Sequence, residues 1–161
     1  MKKDLLIIGG LFLVIITLLV IGSYLNIFLG NLAPQAAAST QVRINDLVIT
    51  AEVTKTPEAK SKGLSGRENL APNSGMLFVF ERVDRFSFWM KDVKFPIDII
   101  WISEDKRVAD IIHSAQPEPG VPDNLLRIYR GSVPVLYVLE VPAGTAVANN
   151  LRIGDRLEFS L

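Results

Sequence analysis

From Leu5 to Gly30 the chain carries no Asp, Glu, Lys or Arg, and this run constrains the molecule more than any other feature. As a helix, at about 1.5 Å per residue, it exceeds the roughly 30 Å hydrocarbon core of a bilayer. A segment crossing that core must satisfy every backbone N–H and C=O internally, which leaves a helix as the expected form. Lys2 and Lys3 precede the run, and the positive-inside rule then puts the N-terminus in the cytoplasm and everything after Ala38 outside. The competing reading is a cleaved secretory signal, supported by the small residues Ala36-Ala37-Ala38-Ser39 and ending near Ala38. An apolar signal core normally runs about 7–15 residues, so length favours a retained single-pass anchor.

These features divide the chain into a cytoplasmic stub and anchor (1–30), a short uncharged tether (31–40) and an extracytoplasmic domain (41–161). From Thr40 onward 15 Lys and Arg face 16 Asp and Glu, since Lys2, Lys3 and Asp4 account for the others. That balance offers no electrostatic footprint for nucleic acid. The absence of cysteine removes disulfides, thiolate metal sites and cysteine nucleophiles. A domain of about 120 residues without disulfides must rely on its core, which suffices for one domain and not for two.

Within the outer domain, Val42–Ile44 and Leu47–Val53 alternate apolar and polar residues around Asn45-Asp46, the pattern of a hairpin. Thr56 fits an N-cap, Pro57 the first helical position, Glu58 the first turn and Gly63 the stop of a helix of about two turns. Met76–Phe80 is apolar on both faces, as a central strand is, and Val135–Val141 repeats that pattern. Strands are also expected over Phe86–Met90, Phe95–Ile102, Arg107–Ile112 and Arg156–Phe159, with Thr145 capping a short helical turn that reaches Asn149. The expected fold class is α+β and mainly β: a compact, partly closed barrel-like domain with one or two short helices, preceded by one transmembrane helix.

Five blocks, Gly63-Leu64-Ser65-Gly66-Arg67, Gly75–Phe80, Phe88-Trp89-Met90-Lys91, Pro96–Ile100 and Leu139–Gly144, followed by Gly154-Asp155, resemble the prokaryotic family catalogued as domain of unknown function 192. The resemblance covers essentially the whole outer domain. It implies a compact β-rich fold behind an export signal or anchor, and it carries over no established activity. Two positions depart from the family pattern. Asp92 stands where Asn is common, and Lys60 stands where Arg is, so any planar anion there loses a bidentate partner.

Alternation along Phe86–Met90 puts Phe86, Phe88 and Met90 on one face and Ser87, Trp89 and Lys91 on the other. If that strand forms a hairpin with Phe95–Ile102, turning near Asp92-Val93, Asp98 shares a surface with Trp89. Pro96, which cannot donate to a ladder, is awkward in that arrangement. The candidate binding residues are Arg67, Trp89, Lys91, Asp98, Tyr129 and Glu140. The structural reading stands ahead of that surface: Trp89 fills a second small core, and Asp98 is a buried carboxyl that binds loop amides or pairs with Arg67. Asp98 and Glu140 also allow an acid–base pair of glycosidase type, although the sequence does not set their separation. The long stretch Ser114–Val133 reads either as a lid, through Tyr129, Arg127 and Arg130, or as cover for a sheet edge. His113 is the only histidine, and without cysteine it makes no typical zinc site. No cofactor or metal is expected. The expected partners are the membrane, through residues 5–30, and an envelope ligand or protein. The leading reading is an anchored, non-catalytic binding module; the alternative is an envelope-polymer hydrolase or lyase that uses Asp98 and Glu140.

Overall fold

The computed structural model describes residues 15–25 and 38–161, and the chain divides into two units between Ala36 and Ala37. In the first, residues 15–25 are α-helical. Among the described residues no helix is long and apolar enough to cross a membrane. The remainder of the run from Leu5 to Gly30, the stub before it and residues 31–37 of the expected tether lie outside the described residues.

The second unit is built on a seven-stranded sheet. Its strands are β1 (Ser39–Ile44), β2 (Leu47–Thr54), β3 (Ser74–Asp84), β5 (Ile97–Ile102), β6 (Val108–Ala115), β8 (Val135–Pro142) and β9 (Leu157–Glu158), in the spatial order β6-β5-β8-β3-β2-β1-β9. A separate pair is formed by β4 (Ser87–Phe88) and β7 (Tyr129–Arg130). The sheet curls until its two ends meet. Arg107 bridges Arg156, and the Val108, Gly154 and Leu157 amides donate to Asp155, Val108 and Lys106 carbonyls at 2.8 Å. This is the partly closed barrel expected from the pattern of short strands.

Local sequence signals decide the first elements. Asn45 adopts a positive φ of 52° in the β1–β2 turn, a conformation Asn tolerates better than most residues. Helix α1 (Pro57–Lys62) opens with Pro57, and the Ala59 amide donates to Thr56 Oγ1 at 3.2 Å. β2 and β3 are parallel, so the chain between them must cross over, and α1 with the loop after it makes that crossing.

Both faces of the sheet are covered. Inside the curl lie Val42, Ile44, Ile49, Leu77, Ile100, Leu139, Val141 and Leu157, closed at one end by the short helix α2 (Thr145–Ala148). Outside lie Met76, Phe78, Ile97, Ile99, Trp101 and Val138, covered by Leu64, Met90 and Tyr129. The two covered faces explain why β3, β5 and β8 read as apolar on both sides. Gly131 lets the β4–β7 flap sit on the buried Trp101 ring, since a Cβ there would lie 2.7 Å from the indole. The Trp101 Nε1–H donates to the Phe86 carbonyl at 3.2 Å and holds the other arm of the flap.

Several expectations need correction. The strand expected over Phe86–Met90 shrinks to Ser87–Phe88 and pairs with β7, not with the Phe95–Ile102 segment. Both edges of β5 are already occupied, by β6 and β8, so no hairpin with the Trp89 segment can form. Ser114–Val133 is therefore more than a lid or an edge cover, because it supplies β7. At α2 the N-cap is Gly144, with φ 85°, and the Thr145 hydroxyl instead donates to the Pro142 carbonyl at 2.6 Å. The strand expected at Arg107–Ile112 runs on to Ala115, and the last strand is only Leu157–Glu158.

Candidate functional site

The register of β8 decides what its two neighbouring carboxyl-bearing positions do. Asp98 pairs with Val141 and Ile99 with Glu140, so Asp98 shares the inner face with Ile100 while Glu140 shares the outer face with Val138 and Met76. Asp98 is fully buried, and its carboxyl accepts from the amides of Ser114 (2.9 Å), Gly144 (3.2 Å) and Ala146 (2.8 Å). It ties the end of β6 to the first turn of α2 and shares no surface with Trp89. The placement of Asp98 beside Trp89 is thus overturned, as are its pairing with Arg67 and its partnership with Glu140. Two carboxyl groups on opposite faces of one sheet cannot flank a common bond.

Glu140 has the opposite environment. It is 5% exposed, and its carboxyl makes no hydrogen bond within the protein. Burial pushes its pKa up to about 8, and the nearby positive charge of Arg67 only partly opposes that. Arg67 itself is committed elsewhere: its two terminal nitrogens grip the two carboxylate oxygens of Glu52, each at 2.6 Å. That bidentate bond holds Glu52 below the usual carboxylate range against the raising effect of burial, and raises Arg67. On the same outer face the Thr54 hydroxyl is buried without a hydrogen-bond partner.

Glu140 opens into a cavity of about 290 Å³. Lys60–Ser65 form one wall, Phe86–Trp89 another, and Phe78, Phe80 and Val93 complete it. Phe80 stacks on Phe86 with centroids 3.4 Å apart, and Phe88 meets Phe78 edge-on at 5.0 Å. The alternation along Phe86–Met90 holds: Met90 is buried and Phe86 and Phe88 are half-buried, while Trp89 is 43% exposed. The expectation that Trp89 fills a second small core gives way to a position on the cavity wall. A neighbouring cavity of about 710 Å³ shares Lys62, Ser65 and Val93 and extends beneath Pro117–Val121.

Four of the five blocks that carry the family resemblance meet at this cavity. The Gly63–Arg67 turn is pinned to the Trp89 segment, because Ser65 Oγ donates to the Lys91 carbonyl at 2.8 Å and the Gly66 amide to the Asp92 carbonyl at 2.9 Å. Gly75–Phe80 supplies Phe78 and Phe80, and the β8 block supplies Glu140. Gly75 also permits the tight β3–β8 pairing, since a Cβ there would lie 2.7 Å from the Glu140 carbonyl oxygen.

Of the six candidate residues, Trp89 and Glu140 line the same cavity and Arg67 lies close enough to Glu140 to bias its proton. Lys91 lines the neighbouring cavity and is paired with Asp123. Tyr129 is buried in the outer core beneath the Arg127 guanidinium, 5.0 Å from its ring, so it anchors the flap and is no lid. Asp98 stands apart. Lys62, Ser65, Phe80 and Phe86 join the site without having been singled out for it, and so does Lys60, read in the sequence only as a departure from the family pattern; all lie in or beside the family-like blocks. His113 is exposed, and among the described residues no group of three His, Asp or Glu is placed to hold a metal ion.

A curled, mainly β domain with a polar-floored aromatic cavity on its outer face is thus the class of protein in hand. The chain belongs to the family DUF192, described as “Uncharacterized ACR”, whose model matches residues 40–159. It is similar to the crystal structure of a “putative transcription regulator” from Sinorhizobium meliloti 1021, with a TM-score of 0.70 and 31% identity over 79% of this chain and 98% of that one. It is also similar to a protein of unknown function from Novosphingobium aromaticivorans DSM 12444, with a TM-score of 0.66 and 29% identity over 75% of this chain and 84% of that one. No curated protein matches the chain.

Proposed function

We propose that this protein is a membrane-anchored extracytoplasmic domain that binds a ligand in the cavity between Trp89 and Glu140, without performing chemistry on it. The observation that carries the reading is the Glu140 carboxyl: nearly buried, unbonded within the protein, and at the floor of an aromatic-walled cavity. A carboxyl with no partner in the protein, on a nearly buried side chain that lines a cavity, has its hydrogen-bonding capacity free for whatever enters that cavity. The uncharged run from Leu5 to Gly30 behind Lys2 and Lys3 supports the anchor. The regulator description attached to the Sinorhizobium protein has no electrostatic counterpart here, since 15 basic residues face 16 acidic ones after Thr40. The opposite placement of Asp98 and Glu140 removes the acid–base pair on which the hydrolase alternative stood.

Two measurements test this reading. The full chain is expected to stay in the membrane pellet at high salt and high pH, whereas a mature N-terminus near Ser39 establishes cleavage and removes the anchor. For the site, Trp89→Ala is expected to shift the unfolding free energy by less than about 1 kcal/mol, as an exposed side chain does. Phe88→Ala, which vacates the contacts with Phe78 and Trp101, is expected to cost about 3 kcal/mol. In a ligand-observed NMR screen of small polar ring compounds, hits are expected that compete with one another and vanish with Trp89→Ala. Equal destabilisation by both substitutions, or hits indifferent to Trp89, sinks the proposed site.

A further inference from the structure

The surfaces of the Glu140 cavity are of three kinds, and together they select a ligand class. The wall offers one largely exposed aromatic ring, Trp89, with the Lys91 ammonium 5.9 Å from its centroid. Phe80 is already taken, by stacked Phe86 and by the Lys60 ammonium 4.8 Å from its centroid, whereas the Trp89 indole is 43% exposed. The sides offer the hydroxyls of Ser65 and Ser87 and the ammonium groups of Lys60 and Lys62. The floor offers a carboxyl group with no partner in the protein. A flat apolar face with hydrogen-bonding groups around and beneath it matches a molecule with C–H faces and a rim of hydroxyls.

We propose that the cavity seats one uncharged sugar ring, with Trp89 against its C–H face and the Glu140 carboxyl bonded to one of its hydroxyls. The assignment rests on the ligand-binding reading above and narrows it. The cavity volume of about 290 Å³ lies just below the range for small-molecule sites, roughly 300–1,000 Å³, which suits a single ring. The adjoining cavity of about 710 Å³, reached past Lys62, Ser65 and Val93, gives room for the next units of an oligosaccharide.

Charge argues against the other occupants. The groups that face Glu140 are Arg67 from the loop after α1, with Glu52 of β2 bound to it, and Lys60 and Lys62 from α1 across the cavity. The Phe86–Trp89 wall has no charged residue of its own but carries the Lys91 ammonium over the Trp89 ring, paired with Asp123, and the neighbours of Glu140 in the sheet are Ile99 and Met76. With Glu140 protonated this environment is positive and repels a cation. An anion is drawn by the lysines but leaves the Trp89 face and the inward carboxyl without a role. A neutral hydroxyl exchanges hydrogen bonds with the acid form at no charge cost. A cation instead favours ionised Glu140, so its affinity rises with pH through about 8, whereas that of a neutral sugar does not.

The experiment uses the full chain in a detergent without a sugar headgroup. It is titrated with glucose, galactose, mannose and N-acetylglucosamine and with their tetramers, and in parallel with tetramethylammonium and benzoate. Tryptophan fluorescence reports binding, because the second tryptophan, Trp101, is fully buried and leaves exposed Trp89 as the responsive ring. At least one sugar is expected to give a saturable change, with the tetramer tighter than the monomer and no gain in affinity from pH 6 to pH 9. By calorimetry, Trp89→Ala should weaken that sugar roughly tenfold or more, the loss typical of a central aromatic contact. Glu140→Ala should weaken it similarly, and Glu140→Gln, which keeps shape and donor, should retain it. Inert sugars beside a binding cation or benzoate overturn the sugar assignment and leave the cavity as the ligand site. No response to any probe overturns both readings, and so does sugar binding that ignores Trp89 and Glu140.

Discussion

Asp98→Ala is expected to lower the unfolding free energy by about 3–5 kcal/mol, the largest single-site loss foreseen outside the aromatic core. The carboxyl takes three amide donors from two separate segments, Ser114 at the end of β6 and Gly144 and Ala146 at the start of α2. Removing it strips the buried Ala146 amide of its acceptor and leaves the part-buried Ser114 and Gly144 amides without theirs, around a side chain that is itself fully buried. Asp98→Asn separates the contributions. Oδ1 accepts from Ser114 and Gly144 while Oδ2 accepts from Ala146, so an amide satisfies at most one of these sets and turns a donor toward the other. A loss of about 1–3 kcal/mol is expected for Asn, smaller than for Ala. Urea midpoints of the three chains provide the check. A loss below about 1 kcal/mol for Ala returns Asp98 to a surface role and contradicts the packing described above.

Asp98 and Glu140 also mark where the sequence stops being informative. Each is a lone carboxyl residue in an apolar strand, and period-two alternation correctly separates the faces within each strand. Which face of β5 lies against which face of β8 depends on register, and a shift of one residue exchanges the two outcomes. Register here comes from long-range pairing: Asp98 meets Val141, so the carboxyls part company. The same holds for the Trp89 segment. Its alternation was legible, but its pairing with Tyr129–Arg130 was not, because two-residue strands carry no periodic signal. Features fixed within a few residues were readable in advance: the Asn45 turn, the Thr56 cap on Pro57–Lys62, and the doubly covered strands at Met76–Phe80 and Val135–Val141. The cavity needed the β2–β3 crossover to carry Lys60–Ser65 over β3, and only the parallel pairing of those strands reveals that path.

Glu140→Gln is expected to make the protein more stable at neutral pH and to remove a slope from its pH–stability curve. The parent Glu140 keeps its proton in the folded state up to about pH 8, whereas in the unfolded chain it releases that proton near its ordinary value of 4.5. Between those limits the folded state binds more protons than the unfolded one, so stability falls as pH rises, by about 1.4 kcal/mol per unit at most. Below pH 4.5 both states are protonated and the group is neutral in the balance. Above about pH 8 both are ionised and the loss, a few kcal/mol in all, is complete. Glu52 works in the other direction. Its pKa is lowered by Arg67, so its contribution is present above the ordinary carboxylate range and disappears only as acid titrates it. The two effects occupy separate pH windows, which lets urea midpoints between pH 4.5 and pH 9 isolate Glu140. Glutamine fills the same volume, titrates nowhere in that range, and leaves Arg67 on Glu52. Its curve should therefore run flat where the parent descends, with the gap widest above pH 8. Parallel curves mean that Glu140 ionises in the folded protein as it does in water, and the unbonded acid at the cavity floor, together with the ligand chemistry built on it, then falls.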